Sequence, residues 1–270
     1  MPFALVGVAL GYKDSRPDAY VQLLVMVVLC MIFARSAAMA FNRWLDRDID
    51  AINPRTAIRD IPSGTVRAKS AMIFVIINCL LFIFCTFFIN TICFILSPVA
   101  LLVILGYSYT KKFTSLCHLV LGVGLALAPV GAYLAMTGHF GSAAVLIGVS
   151  VMFWVAGFDV IYALQDRDFD KANDLNSIPV VFGTTKALRI SELFHVLAGV
   201  VMTGAMFYIH SQFPLSWISV MALILFLSLL LYQHLIIKPN DLSRVNMAFF
   251  TTNGIASVVF GALLITDLLL

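Results

Sequence analysis

Asp46-Arg47-Asp48-Ile49-Asp50-Ala51-Ile52-Asn53 closes an apolar run that begins near Ala19, and Asp166-Arg167-Asp168-Phe169-Asp170-Lys171-Ala172-Asn173 closes another that begins near Ala143. The second cassette repeats the first at an offset of 120 residues. Nine of the 14 acidic residues fall in two windows, Asp46, Asp48, Asp50 and Asp60, then Asp159, Asp166, Asp168, Asp170 and Asp174. A carboxylate in hydrocarbon costs roughly 2.5–3.5 kcal/mol on insertion scales. Two such clusters at the ends of apolar helices therefore require a compensating partner, and a divalent cation is the obvious one.

The rest of the chain is greasy. It is 61% hydrophobic and 11% charged over 270 residues, with a mean hydropathy of +1.01. A water-soluble domain of this length carries far more polar surface. Runs long enough to cross ~30 Å of hydrocarbon fall at about Ala19–Phe41, Ala71–Phe88, Thr91–Tyr109, Leu116–Met136, Ala143–Leu164, Leu188–Ile209, Leu215–Leu235 and Met247–Leu268. Ahead of them lies Met1–Leu10, which covers about half a bilayer as a helix. The expectation is an all-α membrane protein forming one domain over residues 1–270, with about nine spans. The first span is read as shortened by a chain that starts inside it.

No basic lead-in or Ala-x-Ala-type site marks a cleavable signal peptide. Cys30, Cys79, Cys85, Cys93 and Cys117 lie in or beside apolar runs without Cys-x-x-Cys spacing, so they read as small apolar fillers rather than a disulfide or zinc framework. Gly122, Gly124 and Ala128 read as close-packing positions.

Basic residues alternate between successive connections. Segment 42–70 holds Arg43, Arg47, Arg55, Arg59, Arg67 and Lys69, whereas 89–90 holds none. Lys111 and Lys112 come next, then Arg167, Lys171, Lys186 and Arg189, then Lys238 and Arg244. The positive-inside rule sets these connections, and both cassettes, on the cytoplasmic face. The net charge of +3 is thus sorted by membrane side and does not point to nucleic acid.

On a helix continuing from the Ala19–Phe41 span, Arg35, Asn42, Asp46 and Asp50 share one face within about 80°, with Asp48 opposite. Asp159, Tyr162, Asp166 and Asp170 share a face in the second cassette, with Asp168 opposite. Stacked carboxylates repel unless something positive lies between them. Mg²⁺ takes one or two carboxylates and completes its shell with phosphate oxygens and water. Two facing pairs could hold Mg²⁺ against a diphosphate, with Arg35, Arg59, Lys111 and Lys112 as the candidate neutralising cations.

Asn42-x-x-x-Asp46-x-x-x-Asp50 and Asp159-x-x-Tyr162-x-x-x-Asp166-x-x-x-Asp170 resemble the two signature motifs of UbiA-type intramembrane aromatic prenyltransferases. Arg55-Thr56-Ala57-Ile58-Arg59, Pro62-Ser63-Gly64 and Tyr109-Thr110-Lys111-Lys112-Phe113-Thr114 resemble further segments of that family, and Arg35 resembles an arginine ahead of its first motif. The resemblance spans almost the whole chain. It implies a helical bundle around a central cavity and a prenyl diphosphate donor bound through Mg²⁺. It also implies metal ligation by Asn42, Asp46 and Asp50 and by Asp166 and Asp170. Lys111 and Arg59 would grip the diphosphate, and Tyr162 and Asp159 would lie near the reacting carbons. The implied acceptor is an aromatic acid of the 4-hydroxybenzoate type, or a dihydroxynaphthoate, for ubiquinone or menaquinone formation in a bacterial inner membrane.

A cation transporter is the reading from another class. It expects carboxylates near the bilayer midplane and interrupted helices, whereas these acids cluster beside basic loops. His118, His195, His210 and His234 lack metal-ligand spacing and read as structural.

Overall fold

A computed structural model describes residues 1–270 as helices and short connections. The helices are α1 (Pro2–Ser15), α2 (Tyr20–Leu45), α3 (Arg47–Ile52), α4 (Ala68–Phe87), α5 (Thr91–Thr110), α6 (Cys117–Thr137), α7 (Ser142–Ala163), α8 (Arg167–Ala172), α9 (Ile178–Gln212), α10 (Trp217–Ile236) and α11 (Asn253–Leu269). Eight are long and apolar enough to cross a membrane. They alternate in direction, so the connections 46–67, 111–116, 164–177 and 237–246 gather at one end of the bundle. Both cassettes lie at that end, with most of the basic residues.

Helix α1 runs five residues past the expected Leu10. Its 14 residues span about 21 Å, and they form a buried wedge. The Phe3 ring lies 5.3 Å from Trp154 and 5.8 Å from Phe260, inside the main apolar core. Helix α7 is the central column, packed most extensively on α9 and α6. Gly122 permits that contact, since a Cβ there would stand 2.3 Å from the Met152 carbonyl oxygen. Gly124 has open space around it, so it is no close-packing position.

Local chemistry sets the helix ends. Asn90 Oδ1 accepts from the Cys93 amide at 2.8 Å to start α5, while its Nδ2 donates to the last-turn carbonyl of Leu134 in α6 at 3.0 Å. Helix α9 begins ten residues before the expected Leu188. Ser177 caps it, accepting from Val180 N at 3.3 Å, and Pro179 sits in its first turn. Gly183, at φ 77° and ψ 166°, then breaks the helix and re-aims the long span.

Helix α11 is preceded by a π-helical turn, Met247–Thr252. Asn253 holds it by donating to the Ala248 and Phe249 carbonyls at 3.2 and 3.0 Å. The same side chain accepts from Trp154 Nε1 and Gln233 Nε2 at 3.0 and 2.8 Å. The turn sets Phe249 in a stack on Tyr162 with 4.1 Å between centroids.

Candidate active site

Neither cassette continues its span as one straight α-helix. Asp46 stands at the junction of α2 and α3 with φ −89° and ψ 0°. Its amide still donates to Asn42 O at 3.0 Å, and its carbonyl accepts from Asp50 N at 2.7 Å. The register that stacks Asn42, Asp46 and Asp50 therefore survives the bend. In the second cassette a 3₁₀ turn, Leu164–Asp166, joins α7 to α8. Both distortions fall where the chain leaves the apolar bundle and packing no longer enforces α-helix geometry.

The two cassettes face one another across a cavity of about 250 Å³. Asn42, Asp46 and Asp50 line it from one side, Asp159, Tyr162, Asp166 and Asp170 from the other. Asp48 and Asp168 point away, with side chains 83% and 93% exposed. This is the division expected from helical spacing.

Cations from neighbouring connections reach the inward carboxylates. Lys111 Nζ lies 2.5 Å from Asp46 Oδ2. Arg59 Nη1 donates to both oxygens of Asp50 at 2.7 and 2.8 Å. Arg55 grips Asp166 in a two-pronged pair, Nε to Oδ1 at 2.8 Å and Nη2 to Oδ2, while Nη1 donates to the Tyr162 hydroxyl at 3.0 Å. Burial pushes the Asp46 carboxyl above the usual carboxylate range against the pull of Lys111. Burial pulls the Arg55 guanidinium down, but the Asp166 carboxylate outweighs it and holds it above its ordinary value.

Two observations fit this site to a divalent cation. Asp46 Oδ1 is buried and has no hydrogen-bond partner, a state that costs roughly 1–3 kcal/mol or more. Asp170 lines the same cavity with no cation of its own. Hard carboxylate and amide oxygens are the donor set that Mg²⁺ prefers.

Not every expected residue converges here. Arg35 is exposed on α2, eleven residues and roughly 16 Å along the axis from Asp46, and does not line the cavity. Lys112 turns outward, with Nζ 5.7 Å from the Tyr109 ring centroid. Conversely, Arg55 and Asn53 enter the site from the loop after α3, with Asn53 Nδ2 donating to Asp166 Oδ1 at 3.4 Å. His118 is in the wall as well, its Nδ1 2.7 Å from Asp159 Oδ2. Arg55 carried a signal as the first basic residue after the cassette. Nothing in local spacing links His118 to Asp159, 41 residues away. His195 and His234 pair with each other across α9 and α10 at 2.8 Å, outside the cavity.

Comparison with known proteins agrees with this geometry. Residues 1–255 match the model of the UbiA prenyltransferase family. The 4-hydroxybenzoate octaprenyltransferase of Aliivibrio fischeri (strain MJ11) is 31% identical over 253 residues, 93% of this chain and 85% of that protein. The enzyme of that name from Saccharophagus degradans is 28% identical over 95% of this chain and 83% of its own. Among solved structures, the apo form of a UbiA homologue from Aeropyrum pernix K1 superimposes with a TM-score of 0.86 at 29% identity, covering 98% of this chain and 97% of that one. A UbiA homologue from Archaeoglobus fulgidus bound to DMAPP and Mg²⁺ shares the fold, with a TM-score of 0.71 at 21% identity over 100% of this chain and 96% of that one. With its membrane-spanning bundle and opposed carboxylate cassettes, this chain belongs to the UbiA prenyltransferase family and is a prenyltransferase.

Proposed function

We propose that this protein transfers a polyprenyl group from its diphosphate to the ring of a 4-hydroxybenzoate-type aromatic acid, with Mg²⁺, as a step in ubiquinone formation. The observation that carries the proposal is the meeting of the cassettes in one cavity, with Asp46 Oδ1 buried and unpartnered and three cations at hand. The name shared by the bacterial relatives supports the acceptor class.

Asn42, Asp46 and Asp50 would hold one Mg²⁺, and Asp166 and Asp170 the other. Bound there, Mg²⁺ neutralises charge on the leaving diphosphate. Lys111, Arg59 and Arg55 bind the diphosphate oxygens, each exchanging an aspartate for phosphate. Arg35 and Lys112, outside the cavity, are given no part in that grip.

Leu121 and Phe169 in the wall, with the bundle beyond, keep water from the allylic carbon. The carbon–oxygen bond of the donor breaks, and the ring carbon beside the phenol oxygen forms the new carbon–carbon bond. Asp159 lies about 10 Å along the helix from Asp166, away from the diphosphate end, and accepts the proton the ring loses. Tyr162 orients Arg55 between those levels. The run of basic connections at that end supports a cavity mouth facing the cytoplasm from a bacterial inner membrane.

The test is product formation by purified protein given a long-chain prenyl diphosphate, Mg²⁺ and either 4-hydroxybenzoate or a dihydroxynaphthoate. Prenyl-4-hydroxybenzoate is expected as the main product. Turnover of the naphthoate alone would reassign the enzyme to menaquinone formation.

A further inference from the structure

His118 has no part in the transfer as proposed, yet it is 2% exposed and hydrogen-bonded at both ring nitrogens. Its Nε2 receives the amide N–H of Ile178 at 3.3 Å. An amide can only donate, so Nε2 presents a lone pair and the ring's single proton sits on Nδ1. Nδ1 then donates to Asp159 Oδ2 at 2.7 Å. A doubly protonated ring would set two N–H groups against each other at Ile178.

The amide that selects this tautomer is itself tied into the site. Ile178 opens α9 behind its Ser177 cap, and the adjacent Asn176 amide donates to the Lys111 carbonyl at 2.7 Å. One strap thus joins the Lys111 connection, the start of α9 and His118.

We infer that His118 is the positioning residue for Asp159: it pins Oδ2 and leaves the other carboxylate oxygen to the cavity. The inference rests on the reading that Asp159 accepts the ring proton. In that step the ring C–H bond breaks, its electron pair restores the aromatic ring, and the proton bonds to the free Asp159 oxygen. His118 cannot carry the proton onward, because Nδ1 already bears one and Nε2 is engaged by Ile178. Asp159 therefore returns the proton to the cavity, where the departing diphosphate is the acceptor. His118 orients Asp159 without relaying its proton.

The experiment compares His118→Leu, His118→Asn, His118→Gln and Asp159→Asn in the Mg²⁺-dependent prenylation of 4-hydroxybenzoate. His118→Leu is expected to lower kcat roughly 10–100-fold, part of what a general base contributes, with little change in KM for either substrate. Asn places its amide nitrogen where Nδ1 sits and should recover most of kcat, whereas Gln, whose amide reaches the Nε2 position, should not. In an Asp159→Asn background, His118→Leu should add no further loss. Equal loss in the Leu and Asn variants, undiminished kcat in His118→Leu, or losses that multiply in the double variant would overturn the inference. The ¹⁵N spectrum of histidine-labelled wild type, with His118 assigned by difference from His118→Asn, reads the ring without catalysis. A neutral ring protonated at Nδ1 is expected; an imidazolium or the Nε2–H tautomer overturns the inference. Should the wild type prenylate no acceptor, the proposed reaction fails while the spectrum still decides the hydrogen-bond geometry.

Discussion

Replacing Lys111 with methionine keeps the side chain's apolar length and removes the cation that holds the most deeply buried carboxylate of the site. The Asp46 side chain is 3% exposed and that of Lys111 30%, with 2.5 Å between the charged atoms. Taking one partner from a fully buried ion pair costs roughly 3–5 kcal/mol. The partial exposure of Lys111 lowers the expectation to about 2–3 kcal/mol. For a chain of this size that is roughly 5–10 °C in apparent melting temperature. Mg²⁺ should then restore more stability to the variant than it adds to the wild type. In the wild type an entering cation competes with Lys111 for Asp46; in the variant it meets a carboxylate with no competing charge. At free Mg²⁺ a hundredfold above Kd, binding adds about 2.7 kcal/mol, which is enough to offset the loss. The assay is tryptophan-fluorescence melting in detergent at one fixed scan rate, with and without Mg²⁺, because unfolding of such proteins is often irreversible. Equal Mg²⁺ shifts in the two proteins, or no loss of stability in the metal-free variant, would show that Lys111 does not hold Asp46 in competition with the metal.

Further outcomes follow from other contacts. Arg55→Gln, which loses the charged pair to Asp166 and the contact with Tyr162, should raise the donor KM by roughly 10–100-fold; unchanged donor kinetics would remove Arg55 from the diphosphate grip. Gly122→Ala puts a Cβ 2.3 Å from Met152 O and forces α6 and α7 apart, at about 1–3 kcal/mol; a melting curve identical to wild type would contradict that packing. Asn253→Leu strips partners from Trp154 Nε1 and Gln233 and from the carbonyls of the π-helical turn. It should cost about 3 kcal/mol or more and slow turnover through the displaced Phe249–Tyr162 stack, both measurable on one preparation.

Much of this architecture is legible in the chain because hydrocarbon imposes it. Any segment that crosses must bury its own backbone hydrogen bonds, so apolar runs of ~20 residues read directly as helices. Four-residue spacing likewise predicts which carboxylates share a face, and Asp48 and Asp168 turn outward as expected. The start of α9 carries its own signals in Ser177 and Pro179, but Gly183 and the polar Thr184, Thr185 and Lys186 separate it from the apolar run that reads as the span. What escapes such a reading is contact across the bundle. Arg55 reaches Asp166 over 111 residues, and His118 reaches Asp159 over 41. Those pairings depend on how α3, α6 and α7 dock, which no local period encodes. Arg35 shares the helical face of Asp46 yet sits about three turns from it, so angular position alone overstates its reach.

The proposed function requires both carboxylate cassettes to act together on one Mg²⁺-bound prenyl diphosphate. The most direct measurement is the rate of 4-hydroxybenzoate prenylation by wild type, Asp46→Ala and Asp166→Ala across a Mg²⁺ titration, with each protein's fold verified by melting. Metal-dependent product from the wild type and near-complete loss in both variants are expected, although the substituted residues come from opposite walls of the cavity. Product formed without Mg²⁺, or a folded variant of either cassette that retained wild-type turnover, would contradict the proposed function.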